Sequence, residues 1–313
     1  MTAVPRLSTL ASGDKRAMAA ALSAIEEAPE AADRLALLDA AWVQARAHAV
    51  GVTGPPGVGK STLTACLIRA WRRAGERIGV IAVDPSSKIS GGALLGDRLR
   101  LAVEPDAGLF IRSMAARDRF GGLAPDTVAA ATLMRAVYDR VLIETVGVGQ
   151  SETDIAIIAD TVLLCLQPGS GDLLQFMKAG IVEVPDVITV TKADFGVPAD
   201  RTLSEARAML GAGAAVEDAW AVPVLATSAV AGTGLEALLA EIDRHRDWLS
   251  AEGRLAARRS EQEGRWLETA LRDRFGSDGL ARLGPIAAAE STSPFARLRE
   301  LSARLRAEPR VKR

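Results

Sequence analysis

The sequence is poor in aromatic residues, cysteine, histidine and lysine, and each shortage excludes something. Phe, Trp and Tyr make up 4% of the 313 residues, so aliphatic side chains must build the core, and at 49% hydrophobic residues they are ample. The two cysteines, Cys66 and Cys165, lie far apart in apolar segments. They exclude a disulfide framework and read as buried thiols of a reducing compartment. The two histidines, His48 and His245, are too few for a His- or Cys-rich metal cluster and read as structural or surface residues. Excess charge is missing too: 38 basic against 39 acidic residues give a formal charge of −1. That balance offers no basic footprint for nucleic acid or an anionic membrane. No apolar run is long enough to span a bilayer, and residues 1–20 lack an apolar stretch of the secretory kind. A cytoplasmic setting is the expectation. Lysine numbers 6 against 32 arginines, which makes each lysine informative. Lys60, Lys88, Lys178 and Lys192 all fall in glycine-, serine- or aspartate-rich segments.

What is present has a rhythm. Residues 13–47 carry Leu22, Ile25, Leu35, Leu38 and Trp42 at mostly helical spacings, with Pro29 placed to open a second helix. From residue 48 short aliphatic runs alternate with helical patterns. The runs are 48–54, 78–84, 108–113, 140–145, 161–167, 186–192 and 222–228; helical stretches fall at 60–74, 126–138, 173–182 and 200–211. Continuous apolar runs suit parallel strands covered on both faces. This rhythm implies an α/β fold with a mostly parallel, doubly wound sheet flanked by helical extensions, and the motif G-x-x-x-x-G-K-[ST] at residues 54–61 makes it that of a P-loop NTPase. The boundaries expected are 1–47 for the N-terminal extension, 48–245 for the nucleotide-binding domain and 246–313 for the C-terminal extension. The basic stretch at 254–260, RLAARRS, reads as a solvated helix face, with a partner contact as the alternative.

The stretch GVTGPPGVGKSTL, residues 51–63, is the most specific signal. Gly54, Pro55, Pro56, Gly57, Val58, Gly59, Lys60 and Ser61 fit G-x-x-x-x-G-K-[ST] between a strand and a helix, with Thr62 in the first helical turn. Glycines let backbone N–H groups converge on a phosphate, and the helix N-terminus adds partial positive charge. Lys60 is expected on the β- and γ-phosphates and Ser61 on Mg²⁺. Asp84 and Glu144 end strands beside this loop, and Asp97 lies in a long loop after the first of them. All three are candidate carboxylates of the Mg²⁺ shell, often through water. Asp84 and Asp97 can also be read as turn and helix caps. Thr191-Lys192-Ala193-Asp194 follows a strand and resembles the guanine-reading N/T-K-x-D motif of GTP-binding proteins. A carboxylate at Asp194 can accept from guanine N1–H and N2–H₂, groups that adenine lacks. Thr191 stands where Asn is more usual and keeps a single hydroxyl. Ser228 and Ala229, after a further strand, sit where a backbone N–H meets guanine O6.

Four stretches together carry a resemblance: DPSS-x₃-GG-x₂-LGDR-x-R from Asp84, ETVGVGQSE from Glu144, PGSGDLLQFMKAGIVEVPD from Pro168, and TKAD from Thr191. The chain resembles the MeaB/ArgK family of P-loop GTPases, chaperones of adenosylcobalamin-dependent acyl-CoA mutases. The resemblance implies GTP/GDP and Mg²⁺ as ligands. It also implies a mutase of the methylmalonyl-CoA type as partner and a homodimer built on the C-terminal helices. Gly169–Lys178 becomes a further switch, with Asp172, Gln175 and Lys178 coupling nucleotide state to the mutase. Asp118 departs from the glycine expected there. No glutamine stands out as the positioner of the attacking water, Gln150 being the possible one, so slow turnover alone and faster turnover with the partner are expected. Two other functions share the phosphate loop: a kinase of the arginine/ornithine transport type and a nickel-insertion GTPase. A dimer that binds GTP without hydrolysing it is the non-enzymatic alternative.

Overall fold

All seven apolar runs form strands. They are β1 (His48–Thr53), β2 (Ile78–Pro85), β3 (Leu109–Ala116), β4 (Arg140–Glu144), β5 (Thr161–Leu166), β6 (Val187–Val190) and β7 (Val224–Ala226). The computed structural model describes residues 4–85, 103, 106–116, 125–145, 154–169, 185–211, 218–286 and 292–307. Every strand pairing is parallel, and the order across the sheet is β3-β2-β4-β1-β5-β6-β7. The first strand is therefore central. The chain winds from it towards β3 on one side and β7 on the other, so a crevice opens at the carboxyl end of β1, where ligands bind in such sheets.

The helices cover both faces, as the unbroken apolar strands require. Five precede or follow the first strands: α1 (Leu7–Ala11), α2 (Lys15–Glu27), α3 (Ala32–Val43), α4 (Lys60–Arg73) and α5 (Pro125–Val137). Four more are α6 (Val197–Gly211), α7 (Leu235–Ser250), α8 (Arg254–Leu283) and α9 (Pro294–Ala307). Alternate residues of each strand point to opposite sides. Val50, Val52, Leu142 and Leu163 pack under Leu63, Leu67, Ile68 and Trp71 of α4 and Leu238 and Ile242 of α7. Ala49, Val141, Ile143 and Val162 face the other way, into a core shared by α5 and the helices at both ends of the chain. Leu22 and Leu38 from the N-terminal helices and Leu271 and Leu298 from the C-terminal ones meet there. Local signals fix the ends. The Asp14 carboxylate accepts from the backbone N–H of Arg16 (2.9 Å) and Ala17 (3.0 Å) to cap α2, and Pro294 begins α9. Pro29 does not open α3: it stands three residues before Ala32, in the turn. The helix expected at 173–182 lies outside the described residues.

The end of the sheet away from the phosphate loop is held by charge. Asp160 has no solvent exposure. Its carboxylate accepts from the backbone N–H of Ala49 (2.8 Å), from Arg259 (2.8 and 2.9 Å) and from Arg135 (3.2 Å). Asp186 repeats the arrangement one strand further on, accepting from the N–H of Val162 (2.7 Å) and twice from Arg258 (2.7 and 2.9 Å). Burial alone would push the Asp160 carboxyl up; the charges of Arg135 and Arg259 outweigh it and hold it well below the usual carboxylate range. The basic stretch 254–260 is thus not a solvated face. Arg258 and Arg259 point inward and fasten α8 to two strand ends, because consecutive strand-end carboxylates need consecutive cations.

Between these aspartates sit both histidines. The Thr161 hydroxyl lies 2.8 Å from His48 Nε2 and 2.7 Å from His245 Nδ1, so its oxygen joins the two rings in one buried chain. Burial lowers His48 to about 3 and His245 to about 4, against an ordinary 6.5. Both are neutral in the fold at pH 5, while in the unfolded chain both take up a proton below about 6.5. Stability is therefore unaffected by these groups above that pH and falls as acid is added. The limiting slope is about 1.4 kcal/mol per pH unit for each histidine. Urea midpoints measured from pH 7 to pH 5 should decline, and His48→Gln should remove about half of the decline. A midpoint independent of pH in that window would contradict the assignment.

Candidate functional site

The loop from Gly54 to Gly59 joins β1 to α4, and Lys60, Ser61 and Thr62 make the first turn of that helix. Two glycines are obligatory. Gly54 has φ 136°, and a Cβ there would stand 2.3 Å from the carbonyl oxygen of Cys165 on β5. Gly59 has φ 104° at the N-cap of α4. No side chain caps that helix, which leaves its first backbone N–H groups to face the loop. Val58 is wholly buried and nails the loop to the core under α4, while Pro56 and Gly57 are exposed on its crest. Lys60 is buried, its ammonium turned into the loop, where Nζ donates to the carbonyls of Gly54 (2.7 Å) and Pro55 (3.0 Å). A concave ring of peptide groups around a cation is what a chain of phosphates needs.

Glu144 ends β4, beside β1, in register with Val52. The Ser61 hydroxyl donates to its carboxylate at 2.5 Å, and the hydroxyls of Thr145 and Thr53 meet at 3.0 Å just beyond. Ser61 and Glu144 are hard oxygen donors at the mouth of the loop, a donor set that fits Mg²⁺ held partly through water. The backbone of Asp84 reaches the same rim, two residues past Ala82, the partner of Glu144. Among the described residues no group of three or more His, Cys, Asp or Glu is placed to hold a metal ion. Asp97, Asp118, Gln150, Asp172, Gln175 and Lys178 lie outside the described residues.

The second half of the site is built from β6 and β7. Lys192 takes φ 53°, a left-handed turn that carries Ala193 and Asp194 out from the end of β6. Asp194 is exposed, and its carboxylate accepts from the Ser228 hydroxyl at 2.5 Å. The N–H of Ala193 donates to the Thr227 carbonyl (3.0 Å), and the thiol of Cys66 on α4 backs the Ala229 carbonyl at 3.9 Å. The loops after β6 and β7 are thus one unit, with Asp194, Ser228 and Ala229 on its rim. Two bonds tie this unit to the phosphate loop. The Thr191 hydroxyl donates to the Val58 carbonyl at 2.6 Å, and Lys192 Nζ donates to the Gly57 carbonyl at 2.8 Å. Sequence reading names Thr191 and Lys192 for their motif but not for these contacts. They link residues more than 130 positions apart, and no local pattern reports them.

Comparison with known proteins agrees with this geometry. The family profile described as "Methylmalonyl Co-A mutase-associated GTPase MeaB" matches residues 16–281. A Pyrococcus horikoshii protein, named provisionally as a GTPase, is 42% identical over 254 residues, covering 80% of each chain. The mitochondrial methylmalonic aciduria type A homolog of Mus musculus is 39% identical over 222 residues, 70% of this chain and 54% of that one. Among solved structures, an LAO/AO transport system kinase superposes with TM-score 0.65 at 26% identity over 96% of each chain. The chain therefore belongs to the MeaB family of methylmalonyl-CoA mutase-associated P-loop GTPases.

Proposed function

We propose that this protein binds and hydrolyses GTP, and that the cycle gates the loading or protection of adenosylcobalamin in an acyl-CoA mutase of the methylmalonyl-CoA type. The observation that carries the guanine reading is the joining of two loops at one rim, through Thr191 with Val58 and Lys192 with Gly57. One loop has the peptide groups and cation for phosphates; the other has a carboxylate for the Watson–Crick edge of guanine. In this reading Lys60 exchanges its loop carbonyls for the β- and γ-phosphate oxygens as nucleotide enters. Ser61 and Glu144 would hold Mg²⁺, which supplies charge neutralisation between the β- and γ-phosphates when bound. Asp194 accepts from guanine N1–H and N2–H₂ and is aimed by Ser228, while the stem of Lys192 lies along the base. Asp84 and Asp97 are proposed as further carboxylates of the Mg²⁺ shell, and Lys178, with Asp172 and Gln175, as switch residues that couple nucleotide state to the mutase.

The mutase as partner rests on family membership and on the names of the relatives. A homodimer through residues 246–313, a body spanning 48–245, an extension over 1–47 and a cytoplasmic setting belong to the same proposal. Among the described residues no helix is long and apolar enough to cross a membrane. The kinase reading takes its support from the printed title of the superposed structure, and the phosphate loop alone does not separate the two. The nickel-insertion reading would need ligands, and both histidines are engaged with the Thr161 hydroxyl inside the protein.

Three measurements test the proposal. Lys60→Ala should abolish GDP binding in calorimetry, and unchanged affinity would overturn the phosphate-loop assignment. Asp194→Asn should move preference from guanine to xanthine nucleotides, whose 2-carbonyl accepts from the new amide; retained guanine selectivity would count against the base assignment. GTP turnover should be slow for the protein alone and rise severalfold or more on adding a cobalamin-dependent acyl-CoA mutase from the same organism. Phosphate release that the mutase leaves unchanged would remove it as partner.

A further inference from the structure

We infer that the cavity between α5 and α8 is a binding site for a small organic acid, whose carboxylate meets Arg135 while its apolar body lies against Trp42 and Trp266. The site is separate from the nucleotide site and sits at the other end of the sheet, beside Asp160.

The cavity has a volume of about 810 Å³, in the range of small-molecule pockets. Trp42 of α3, Ile157, Leu249 and Trp266 supply apolar wall. The part of the wall given by α8 is its inner face, from which Arg259 and Gln262 reach Asp160 and the carbonyl of Ala159. A dimer built on the outer face of α8, where Glu261, Arg265, Glu268 and Arg272 are exposed, leaves the cavity free.

The wall has a cation in want of an acceptor. Arg135 and Arg259 both line the cavity and both pair with Asp160, so one carboxylate answers two guanidinium groups. Arg259 gives further N–H groups to the carbonyls of Ala45 (3.2 Å) and Ala47 (2.8 Å). Arg135 donates through Nη2 alone, to Asp160 at 3.2 Å and to the Ile158 carbonyl. Its Nε is sealed in the interior without an acceptor, which leaves Nη1, unengaged among the described residues, as the nitrogen presented to the cavity. Burial works against the Arg135 charge, and Asp160 offsets part of that effect. An anionic acceptor at Nη1 would supply the rest, through a charge-assisted hydrogen bond.

One group competes for the same cations. Glu263 lines the cavity, and its carboxylate accepts from Trp42 Nε1 at 2.5 Å. Burial raises its pKa against the pull of that hydrogen bond and of Arg135 and Arg259. The groups facing it are thus Trp42 from α3, Arg135 from α5 and Arg259 from α8, with Asp160 behind the two arginines. A second carboxylate beside these arginines repels the Glu263 charge, so Glu263 takes up a proton as the acid enters. Affinity for the acid therefore rises as pH falls.

The test uses 4-fluorobenzoate, 4-fluorobenzamide and 4-fluorobenzamidine, which share one shape and differ in charge. Their binding to the full chain is followed by fluorine NMR line broadening at pH 6 and pH 8, between which no probe changes its charge. The benzoate should bind with a dissociation constant on the order of millimolar, as befits so small a molecule, and about tenfold more tightly than the other two. It should also bind more tightly at pH 6 than at pH 8. Glu263→Gln keeps an acceptor for Trp42 and has no charge to lose. It should bind the benzoate about tenfold more tightly than the unaltered protein at pH 8, and equally at both pH values. Ser260→Phe fills the cavity from its wall and should abolish binding, whereas an anion held in the phosphate loop would be indifferent to it. Absence of benzoate binding, equal binding of the amide or amidine, equal affinity at pH 6 and pH 8 in the unaltered protein, or binding that survives Ser260→Phe overturns the inference. The three probes on the unaltered chain decide its charge class even where a variant fails to fold.

Discussion

A carboxylate with no access to water sits at the start of β5, and the arrangement of the chain's two ends follows from it. Asp160 is tolerable only because a backbone N–H and two guanidinium groups surround it, and leaving either charge alone in such an interior costs about 3–5 kcal/mol. Those partners come from β1, α5 and α8, so the requirement to neutralise one charge draws three distant parts of the chain to one point. Asp186 and Arg258 repeat the device on the neighbouring strand. A parallel sheet whose strand beginnings are locked in this way has its strand ends, and the loops they carry, in a defined relation. The loop after β1 and the loop after β6 can then meet within hydrogen-bond distance.

The site asks for the opposite of the far end. There the carboxylates are buried and ion-paired; here Asp194 is exposed, and the peptide groups of the phosphate loop curve around the ammonium of Lys60. In the function proposed above, Lys60 would exchange its two loop carbonyls for phosphate oxygens, and the Ser61–Glu144 pair would open to a divalent cation. Glu144 can serve in this way because β4 and not β2 is the neighbour of β1, which puts its carboxylate directly across from the first turn of α4.

Much of this was legible in the sequence, and the limits were physical. The seven strands could be read because parallel strands covered on both faces are unbroken apolar runs, and the phosphate loop because its glycines are needed for φ values that other residues avoid. The placing of Asp194 in the loop after β6, beside Ser228, was legible from its motif. The purpose of Arg258 and Arg259 was not: an arginine that snorkels into a buried carboxylate has the same helical spacing as one that faces solvent. His48 and His245 were equally opaque, since the hydroxyl that unites them is Thr161, on a third element. The contact between the Thr191 hydroxyl and the Val58 carbonyl was hidden in the same way. Long-range pairings of this kind leave no mark on local composition, whereas periodicity and turn chemistry do.

The place of β1 in the sheet has a consequence for how the chain must be made. This strand is hydrogen-bonded on one side to β4 and on the other to β5, and to no earlier segment. As the polypeptide leaves the ribosome, β1 and its glycine-rich loop emerge early but find no neighbour until Arg140–Glu144 has been synthesised, and no second one until Thr161–Leu166. At a few to twenty residues per second that is a wait of several seconds for an apolar strand with two open edges. Helices made sooner lie over its two faces: Leu63, Leu67 and Ile68 of α4 share a core with Val50 and Val52, and Leu22, Ile25 and Leu38 share one with Ala49. The order of synthesis thus leaves the edges of the central strand, and not its faces, as the part that must wait for partners.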